Sequence, residues 1–268
     1  MSWRPLATAA LLALATALAG LLALPAGAER AQSGNLRLLL DGDFSPHALP
    51  RHRPVPIAVR FDGSIETADG SHPPALRRLV LELNRNGRYS AAGLPTCRSA
   101  RLQSVSTEEA LHRCRGALVG RGSFRAAIRT EPRGSVAARG RLLVFNSRRD
   151  GRPALALHLF AAAPIRLAVV LPLALRRRAA GAYGTVLATR LPSLANGQGS
   201  ITDIHLGIGR TYRHRGRRRG LISASCAAPA GFEIALFPFA RARLRFADGT
   251  GLQVPLTRSC RVQPARRP

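Results

Sequence analysis

The chain has 268 residues and a formal net charge of +27, from 41 basic and 14 acidic residues. All of the basic residues are arginine, and a field of this sign attracts polyanions at low ionic strength. Aromatic residues make up only 5% of the chain, too few for the stacking surfaces with which proteins hold single-stranded nucleic acid. We therefore predict no nucleic-acid partner.

The first element is an N-terminal apolar segment. It covers residues 6–24, follows Arg4, and ends at a proline and a small-residue A-x-A site at residues 26–28. This pattern predicts a secretory signal peptide over residues 1–28, and hence a secreted, extracellular or cell-envelope protein. An uncleaved membrane anchor is the alternative, because about 20 apolar residues suffice to span a bilayer.

Beyond this segment, apolar and polar residues alternate with period two, which predicts β-strands. The clearest runs cover residues 35–44, 54–65 and 76–88. Asp-Gly pairs at residues 150–151 and 248–249 each separate two such runs and predict β-hairpins. Before the second turn, alternate residues divide between a core face and an open face: Ala242, Leu244 and Phe246, against Arg241, Arg243 and Arg245.

One short helix is predicted over residues 106–114, where Ser106 and Glu109 form a capping-box pattern. Glu109 and His112 also have the i,i+3 spacing of one half of a di-iron site. A second copy of that pattern is absent from the sequence. We therefore predict no metal and no cofactor.

The four cysteines are Cys97, Cys114, Cys226 and Cys260. An even number in an exported chain favours two disulfides, for which three pairings are possible. We favour Cys97–Cys114 with Cys226–Cys260, because each bond closes a local loop. A zinc site is disfavoured because no pair has C-x-x-C spacing.

The many short strands and the single helix predict an all-β protein, an antiparallel β-sandwich-like fold with two packed β-rich halves. A composition break near residues 161–164 places the boundary between an N-terminal β domain, 29–162, and a C-terminal β domain, 163–268. One continuous unit is the alternative.

The segment from Thr211 to Gly220, TYRHRGRRRG, contains five arginines and no acid. Alternating runs on both sides predict that it joins two antiparallel strands, with Gly216 at the turn. One interpretation is a solvated hairpin tip. The other is an anion-binding element, because guanidinium groups suit phosphate and carboxylate. The candidate anion-binding residues are Arg213, Arg215, Arg217, Arg218 and Arg219.

Catalytic motifs are absent: the sequence contains no G-x-S-x-G, S-x-x-K or H-E-x-x-H. A glycosidase needs two facing carboxylates, and nothing in the sequence pairs the candidates Asp62, Glu66, Asp69 and Glu82. We therefore predict no catalytic residue.

Several segments, among them LRRLVLELNRNGR, ALHRCRGALVGRGSF, GSITDIHLGIGRTYR and LISASCAAPAGF, carry a family resemblance. They resemble a group of exported proteins from high-GC soil bacteria to which no activity is assigned. The resemblance covers nearly the whole mature chain and its cysteines. It implies export and a two-half architecture, and most such proteins have a shorter basic cluster than RHRGRRRG.

The favoured hypothesis is a secreted or envelope-associated, non-catalytic β protein that binds anionic surface polymers or lipid head groups through arginine-rich faces. On this hypothesis the membrane is touched only through the signal segment, if that segment stays uncleaved. The alternatives are an extracellular hydrolase without a recognisable motif and a purely structural wall protein.

Overall fold

A computed structural model describes residues 27–130 and 134–264. Most of the predicted signal peptide, residues 1–26, lies outside the described residues. Within them, no helix combines the length and the apolar character needed to cross a membrane.

Seventeen strands and one α-helix are found in the described part of the chain. The strands are β1 (Glu29–Ser33), β2 (Leu36–Ser45), β3 (Ala48–Leu49), β4 (Val55–Thr67), β5 (Leu76–Asn84), β6 (Gly87–Tyr89), β7 (Leu118–Thr130), β8 (Gly134–Arg149), β9 (Arg152–Ala161), β10 (Leu167–Arg177), β11 (Tyr183–Arg190), β12 (Gly199–Ile208), β13 (Thr211–His214), β14 (Arg217–Gly220), β15 (Ile222–Ala224), β16 (Ile234–Phe246) and β17 (Gly251–Val262). The helix α1 is Thr107–Cys114, and 3-10 turns cover Ser99–Leu102, Arg115–Ala117 and Ala195–Gly197.

Fifteen of these strands form one sheet in the order β1-β2-β4-β12-β7-β8-β9-β10-β11-β5-β16-β17-β3, with β15 and β6 attached beside β4. All pairs are antiparallel except β17 with β3. The sheet curls until its ends meet: the Glu29 carboxylate on β1 accepts hydrogen bonds from Thr257 N at 3.1 Å and from Arg258 Nη1 at 2.7 Å, both on β17. The all-β class is thus confirmed, whereas a sandwich of two sheets is not.

The two predicted halves share this sheet. β12, from the second half, lies between β4 and β7 of the first, and β5 lies between β11 and β16. The predicted boundary at residue 162 falls in the connection from β9 to β10, two strands that pair with each other.

The predicted local elements are confirmed. Asp150 and Gly151 both have positive φ between paired β8 and β9, as a two-residue hairpin requires. The Ser106 hydroxyl accepts from Glu109 N at 3.2 Å and caps α1. Both predicted disulfides, Cys97–Cys114 and Cys226–Cys260, are formed. They indicate an oxidising environment.

The core lies inside the curl, where one face of nearly every strand is apolar. β8 and β9 are buried on both faces, because α1 and the turn before it cover their outer side. This cover is held by Cys97–Cys114 and by a hydrogen bond from Ser147 Oγ to Cys97 O at 2.7 Å. His158 on β9 is fully buried, and its ring nitrogen lies 3.1 Å from Val105 O, so it also holds this cover on the sheet.

Candidate functional site

The arginine-rich segment, Thr211–Gly220, forms its own two-stranded hairpin of β13 and β14, which we call the arginine hairpin. Gly216 has a positive φ of 71°, which confirms its place in the turn. The flanking strands β12 and β15 do not pair with each other as predicted. They follow one another along β4, and the arginine hairpin leaves the sheet between them.

One face of the arginine hairpin contacts the segment after β6. The Tyr212 hydroxyl donates to Ser90 O at 3.2 Å. His214 packs so closely on Gly93 that a Cβ there would lie 2.1 Å from its Nδ1. Gly93 also has a positive φ of 83°, so any other residue at this position is disfavoured both by the clash with His214 and by the backbone conformation. The arginine hairpin therefore stands in a defined place.

The five candidate arginines of this hairpin are all exposed. Arg213 lies directly opposite Arg218 in the ladder, an arrangement of like charges that is itself unfavourable. None of the five forms an ion pair with an acidic residue in the part of the chain that the structure describes. The structure brings the predicted anion-binding residues together as a positive cluster without an internal counter-charge.

The second arginine face, on β16, is different because several of its arginines share a buried acid. Glu82 on β5 is fully buried and lies opposite Arg241. Its carboxylate is 2.6 Å from Arg241 Nε, 2.7 Å from Arg243 Nη2 and 2.9 Å from Arg178 Nη1. Arg241, Arg243 and Arg178 thus share one carboxylate in a structural ion-pair network. Arg245, on the same face, forms no ion pair among the described residues.

The pKa of Glu82 reflects two opposed effects. Burial raises the pKa of this carboxyl, but the hydrogen bond from Arg241 and the charges of Arg241, Arg243 and Arg178 outweigh it and hold the pKa below its ordinary value. The hydrogen bond to Glu82 likewise raises the pKa of Arg241. Glu82 was one of the candidate catalytic carboxylates predicted from the sequence. In the structure its carboxylate is bound by arginine side chains.

A cavity of about 420 Å³, which the sequence pattern did not predict, lies inside the curled sheet. Its walls are mainly apolar side chains from β2, β4, β5, β10, β11 and β16, among them Phe44, Phe61, Leu83, Leu175, Leu187 and Phe239. Polar side chains are a minority of the lining: Asn84, Asn86, Arg88, Tyr89, Thr185 and Ser225. Such a lining favours an apolar guest over water.

The cavity opens through a gap between β5 and β16. The pairing of β16 with β5 begins only at Ala240, so residues Ile234–Phe237 pair with β17 alone, and a bulge between Pro238 and Ala240 interrupts that remaining ladder. At the corner, Asn84 Nδ2 donates to Pro238 O at 2.8 Å and holds the two strands together where the gap begins. The mouth of the cavity therefore lies where β16 is not paired with β5.

The segment before β16, residues 225–233, forms one side of this mouth, and we call it the mouth loop. The disulfide Cys226–Cys260 ties it to β17. Arg51 holds its other end through hydrogen bonds to Pro229 O at 2.7 Å and to Phe232 O at 2.8 Å. The mouth loop is thus fixed at both ends.

Three large apolar side chains at the mouth are exposed to solvent. Phe232 is 64% exposed, Ile234 57% and Leu236 75%, and all three also line the cavity. We call them the mouth ridge. Burying such side chains in an apolar partner is favourable by about 1.5–3 kcal/mol each, so their exposure in the free protein needs an explanation.

Strand β6 supplies polar groups to the cavity lining. Arg88 lines the mouth and is exposed. The Tyr89 hydroxyl donates to Asn146 Oδ1 at 2.9 Å, and burial raises the pKa of Tyr89 to about 12. Tyr89 is therefore neutral at physiological pH, and Arg88 carries the charge on this side. The arginine hairpin adjoins the same segment through Ser90 and Gly93.

The outer face of the sheet carries a separate polar row. His205 Nδ1 lies 2.8 Å from Asp62 Oδ1, and Asp62 Oδ2 lies 2.9 Å from Arg60 Nε. Ser123 faces His205 in the register of β7 and β12. No hydrogen bond joins Ser123 to His205 within the described ranges. The row is an Asp-His pair with a serine opposite the histidine in the neighbouring strand.

The four candidate carboxylates are not brought together by the fold. Asp62 pairs with Arg60 and His205, and Glu82 with its arginines. Glu66 is exposed on β4. Asp69 accepts hydrogen bonds in a turn, chiefly involving Asn35, which lower its pKa. Among the residues described, no three His, Cys, Asp or Glu side chains form a group that could hold a metal ion.

Comparison of the chain with models of protein families, with curated proteins and with solved structures gave no significant match in any of the three.

Proposed function

We propose that the protein is an exported, non-catalytic β protein of the cell envelope that binds an anionic amphiphile. The apolar chain of the ligand occupies the interior cavity, and its anionic head group lies at the mouth. The observation that carries this proposal is the apolar cavity that opens between β5 and β16 beside three exposed apolar side chains.

The size and lining of the cavity support a chain-like apolar ligand. Its volume of about 420 Å³ falls within the range of about 300–1,000 Å³ that is typical of small-molecule sites. Each methylene group that leaves water for such a site is worth about 0.8 kcal/mol. Leu83 and Leu187 from the walls and Phe237 near the mouth offer only hydrocarbon to a guest.

The position of the arginines supports an anionic head group. Arg88 stands at the mouth, and the arginine hairpin rests on the segment that directly follows β6. Guanidinium groups bind phosphate and carboxylate through paired hydrogen bonds. This narrows the expected anionic partner from polymers in general to lipids, because an envelope polymer without an acyl chain leaves the cavity unused.

Export is the remaining part of the proposal. The predicted signal peptide over residues 1–28 supports it, as does the resemblance to exported proteins of high-GC soil bacteria. Two formed disulfides agree with it, since such bonds persist in oxidising compartments and are rare in the reducing cytosol.

Binding of a fluorescent polyene fatty acid to the purified mature chain tests the proposal. We expect saturable binding with one site, weakened by about tenfold or more in Leu83→Trp and Leu187→Trp, because both substitutions fill the cavity. Val80→Trp is the matched control, since Val80 lies on the opposite face of β5 from Leu83 and away from the cavity.

Competition then identifies the ligand class. An anionic lysophospholipid should displace the probe, and polyphosphate, which has no apolar chain, should not. Absence of probe binding by the wild type, or equal binding by the wall and control variants, would contradict the proposal.

A further inference from the structure

The mouth ridge exposes three large apolar side chains close together, and lining the cavity does not by itself require this. Its three members, Phe232, Ile234 and Leu236, lie within five residues of one another. In the described part of the chain, the other exposed large apolar side chain is Ile165, at 36%. Clusters of this kind mark surfaces that meet another apolar phase.

The mouth ridge is also presented rigidly. Arg51 and the disulfide Cys226–Cys260 fix the mouth loop, and β17 pairs with β16 along the ridge. The ridge therefore loses little conformational entropy when a partner binds it, which favours binding.

The charges around the mouth ridge are mostly positive. Arg261 faces Ile234 directly in the ladder and is exposed. Arg88 is exposed and lines the cavity, and Arg51 binds the mouth loop. Glu233 is the single acid in the mouth loop and the ridge strand up to Pro238. An apolar ridge bordered by arginines is complementary to a surface with an apolar interior and anionic head groups.

We propose that the mouth ridge docks on an anionic lipid bilayer. Phe232, Ile234 and Leu236 enter the boundary between head groups and acyl chains, and Arg88 and Arg261 contact lipid phosphates. The cavity mouth then faces the membrane directly, so that an amphiphile passes between bilayer and cavity without crossing water. Docking goes beyond the proposed function, because it is a property of the outer surface.

A second copy of the chain is a weaker occupant for the same surface. The unpaired edge of β16 spans only Ile234–Phe237 and ends at Pro238, which cannot donate to a new strand. Two copies would also bring together surfaces of the same sign on chains of net charge +27. An anionic bilayer meets neither obstacle.

Vesicle flotation tests the docking proposal. Vesicles of phosphatidylcholine with one third phosphatidylglycerol should bind the wild-type mature chain, and pure phosphatidylcholine vesicles should bind it at least about tenfold more weakly, because the arginines then lack anionic lipid. The triple variant Phe232→Ser/Ile234→Ser/Leu236→Ser should lose binding to the anionic vesicles by about tenfold or more. Ile165→Ser is the matched control and should bind as the wild type does.

An introduced tryptophan reports insertion directly, because Trp3 in the predicted signal peptide is the only tryptophan of the chain. The emission of Leu236→Trp should shift to shorter wavelength on anionic vesicles. The emission of Ile165→Trp should stay unchanged.

The outcomes separate docking from ligand binding. Leu83→Trp should lose the fatty-acid probe and keep vesicle binding, so failure of the cavity proposal leaves this test intact. Docking is overturned if the wild type ignores anionic vesicles at low salt, or if the triple variant binds them as well as the wild type does. It is also overturned if sedimentation velocity without vesicles shows ridge-dependent self-association, since the occupant is then a second copy.

Discussion

Nη2 of Arg51 lies 2.8 Å from the carbonyl oxygen of Phe232, so a side chain from the loop after β3 holds the mouth loop of the cavity. The same guanidinium donates to Pro229 O at 2.7 Å. Hydrogen bonds from a charged donor are worth about 1.5–3 kcal/mol in favourable settings. Arg51 is therefore the main polar restraint on this end of the mouth.

We expect Arg51→Ala to loosen the mouth loop without unfolding the protein. Amide hydrogen exchange in residues 228–232 should accelerate, and the bound fatty-acid probe should leave about tenfold faster, because opening of the loop widens the exit. Arg53→Ala is the control, since Arg53 is exposed in the same connection and has no side-chain hydrogen bond among the described residues. Equal exchange in the two variants would show that Arg51 does not restrain the mouth.

The two disulfides should have separable effects. Each bond closes a loop, and in the chain-entropy view removal of the bond lowers the unfolding free energy by about 3 kcal/mol. Cys226–Cys260 anchors the mouth loop, so Cys226→Ser/Cys260→Ser should weaken probe binding as well as lower stability. Cys97–Cys114 holds the cover over β8 and β9, away from the cavity lining.

Chemical denaturation and probe titration of the two double-serine variants check this separation. Cys97→Ser/Cys114→Ser should lose stability and retain probe affinity at temperatures where it is folded. Loss of affinity in both variants, or in neither, would mean that the cavity does not depend on the anchor of its mouth loop.

Glu82 gives the fold a defined pH dependence. Its ordinary pKa of 4.5 is lowered in the folded state, so the unfolded chain takes up the proton first as the pH falls. The stabilisation from Glu82 is therefore fully present above about pH 4.5 and is lost as the pH falls through the lower folded value. Glu82→Gln removes this titration and leaves Arg241 and Arg243 without their counter-charge.

We expect Glu82→Gln to lower the unfolding free energy at pH 7 by about 2 kcal/mol, less than for a fully buried pair, because the arginines are partly exposed. Urea unfolding from pH 7 to pH 3 should show the difference between the two proteins constant above about pH 5 and shrinking below pH 4.5. Burial lowers the pKa of His158, which also destabilises the fold in acid. That effect is common to both proteins and cancels in the difference.

The local elements were predictable because their causes lie within a few residues. The capping box at Ser106, the hairpin at Asp150-Gly151 and the two short-range disulfides each depend on neighbours in the sequence. Alternation also assigned Arg241 correctly to the outer face of its strand. It could not show that β5 and β16 are adjacent, because the paired residues Glu82 and Arg241 are 159 positions apart in the sequence and any pairing satisfies the same alternation.

The cavity was not predictable for a related reason. An inward row of Leu and Phe residues has the same pattern whether the space between the strands is filled or hollow. The mouth ridge did leave a signal: residues 234–237 are an unbroken apolar run that ends at Pro238, directly before the alternation of β16 begins. Such a run departs from the strand pattern where the pairing with β5 stops.

The polar row on the outer face provides a test of the non-catalytic part of the proposal. A serine nucleophile requires a base within hydrogen-bond reach, and Ser123 has no such bond to His205. We expect no labelling of the mature chain by a fluorophosphonate, measured by intact mass after prolonged incubation. Labelling at Ser123 that disappears in His205→Ala would establish an activated nucleophile and favour the hydrolase alternative.

The arginine hairpin should strengthen membrane binding without stabilising the fold. Its exposed arginines have no internal counter-charge, and Arg213 faces Arg218. Replacing Arg215, Arg217, Arg218 and Arg219 with serine should leave thermal stability unchanged or slightly raised, by about 0.2–1 kcal/mol, because one like-charge pair is relieved. The variant should leave anionic vesicles, and an anionic matrix, at a clearly lower salt concentration than the wild type.

The control is a quadruple variant that loses the same charge from another face of the sheet. Arg125, Arg129, Arg139 and Arg141 are exposed on β7 and β8, so their replacement by serine removes the same charge from another face of the sheet. Long-range attraction depends on net charge, whereas contact with lipid phosphate depends on position. If both quadruple variants elute together, the arginine hairpin contributes only to the general field. If the hairpin variant elutes first by a wide margin, the hairpin is a contact surface for the anionic head groups.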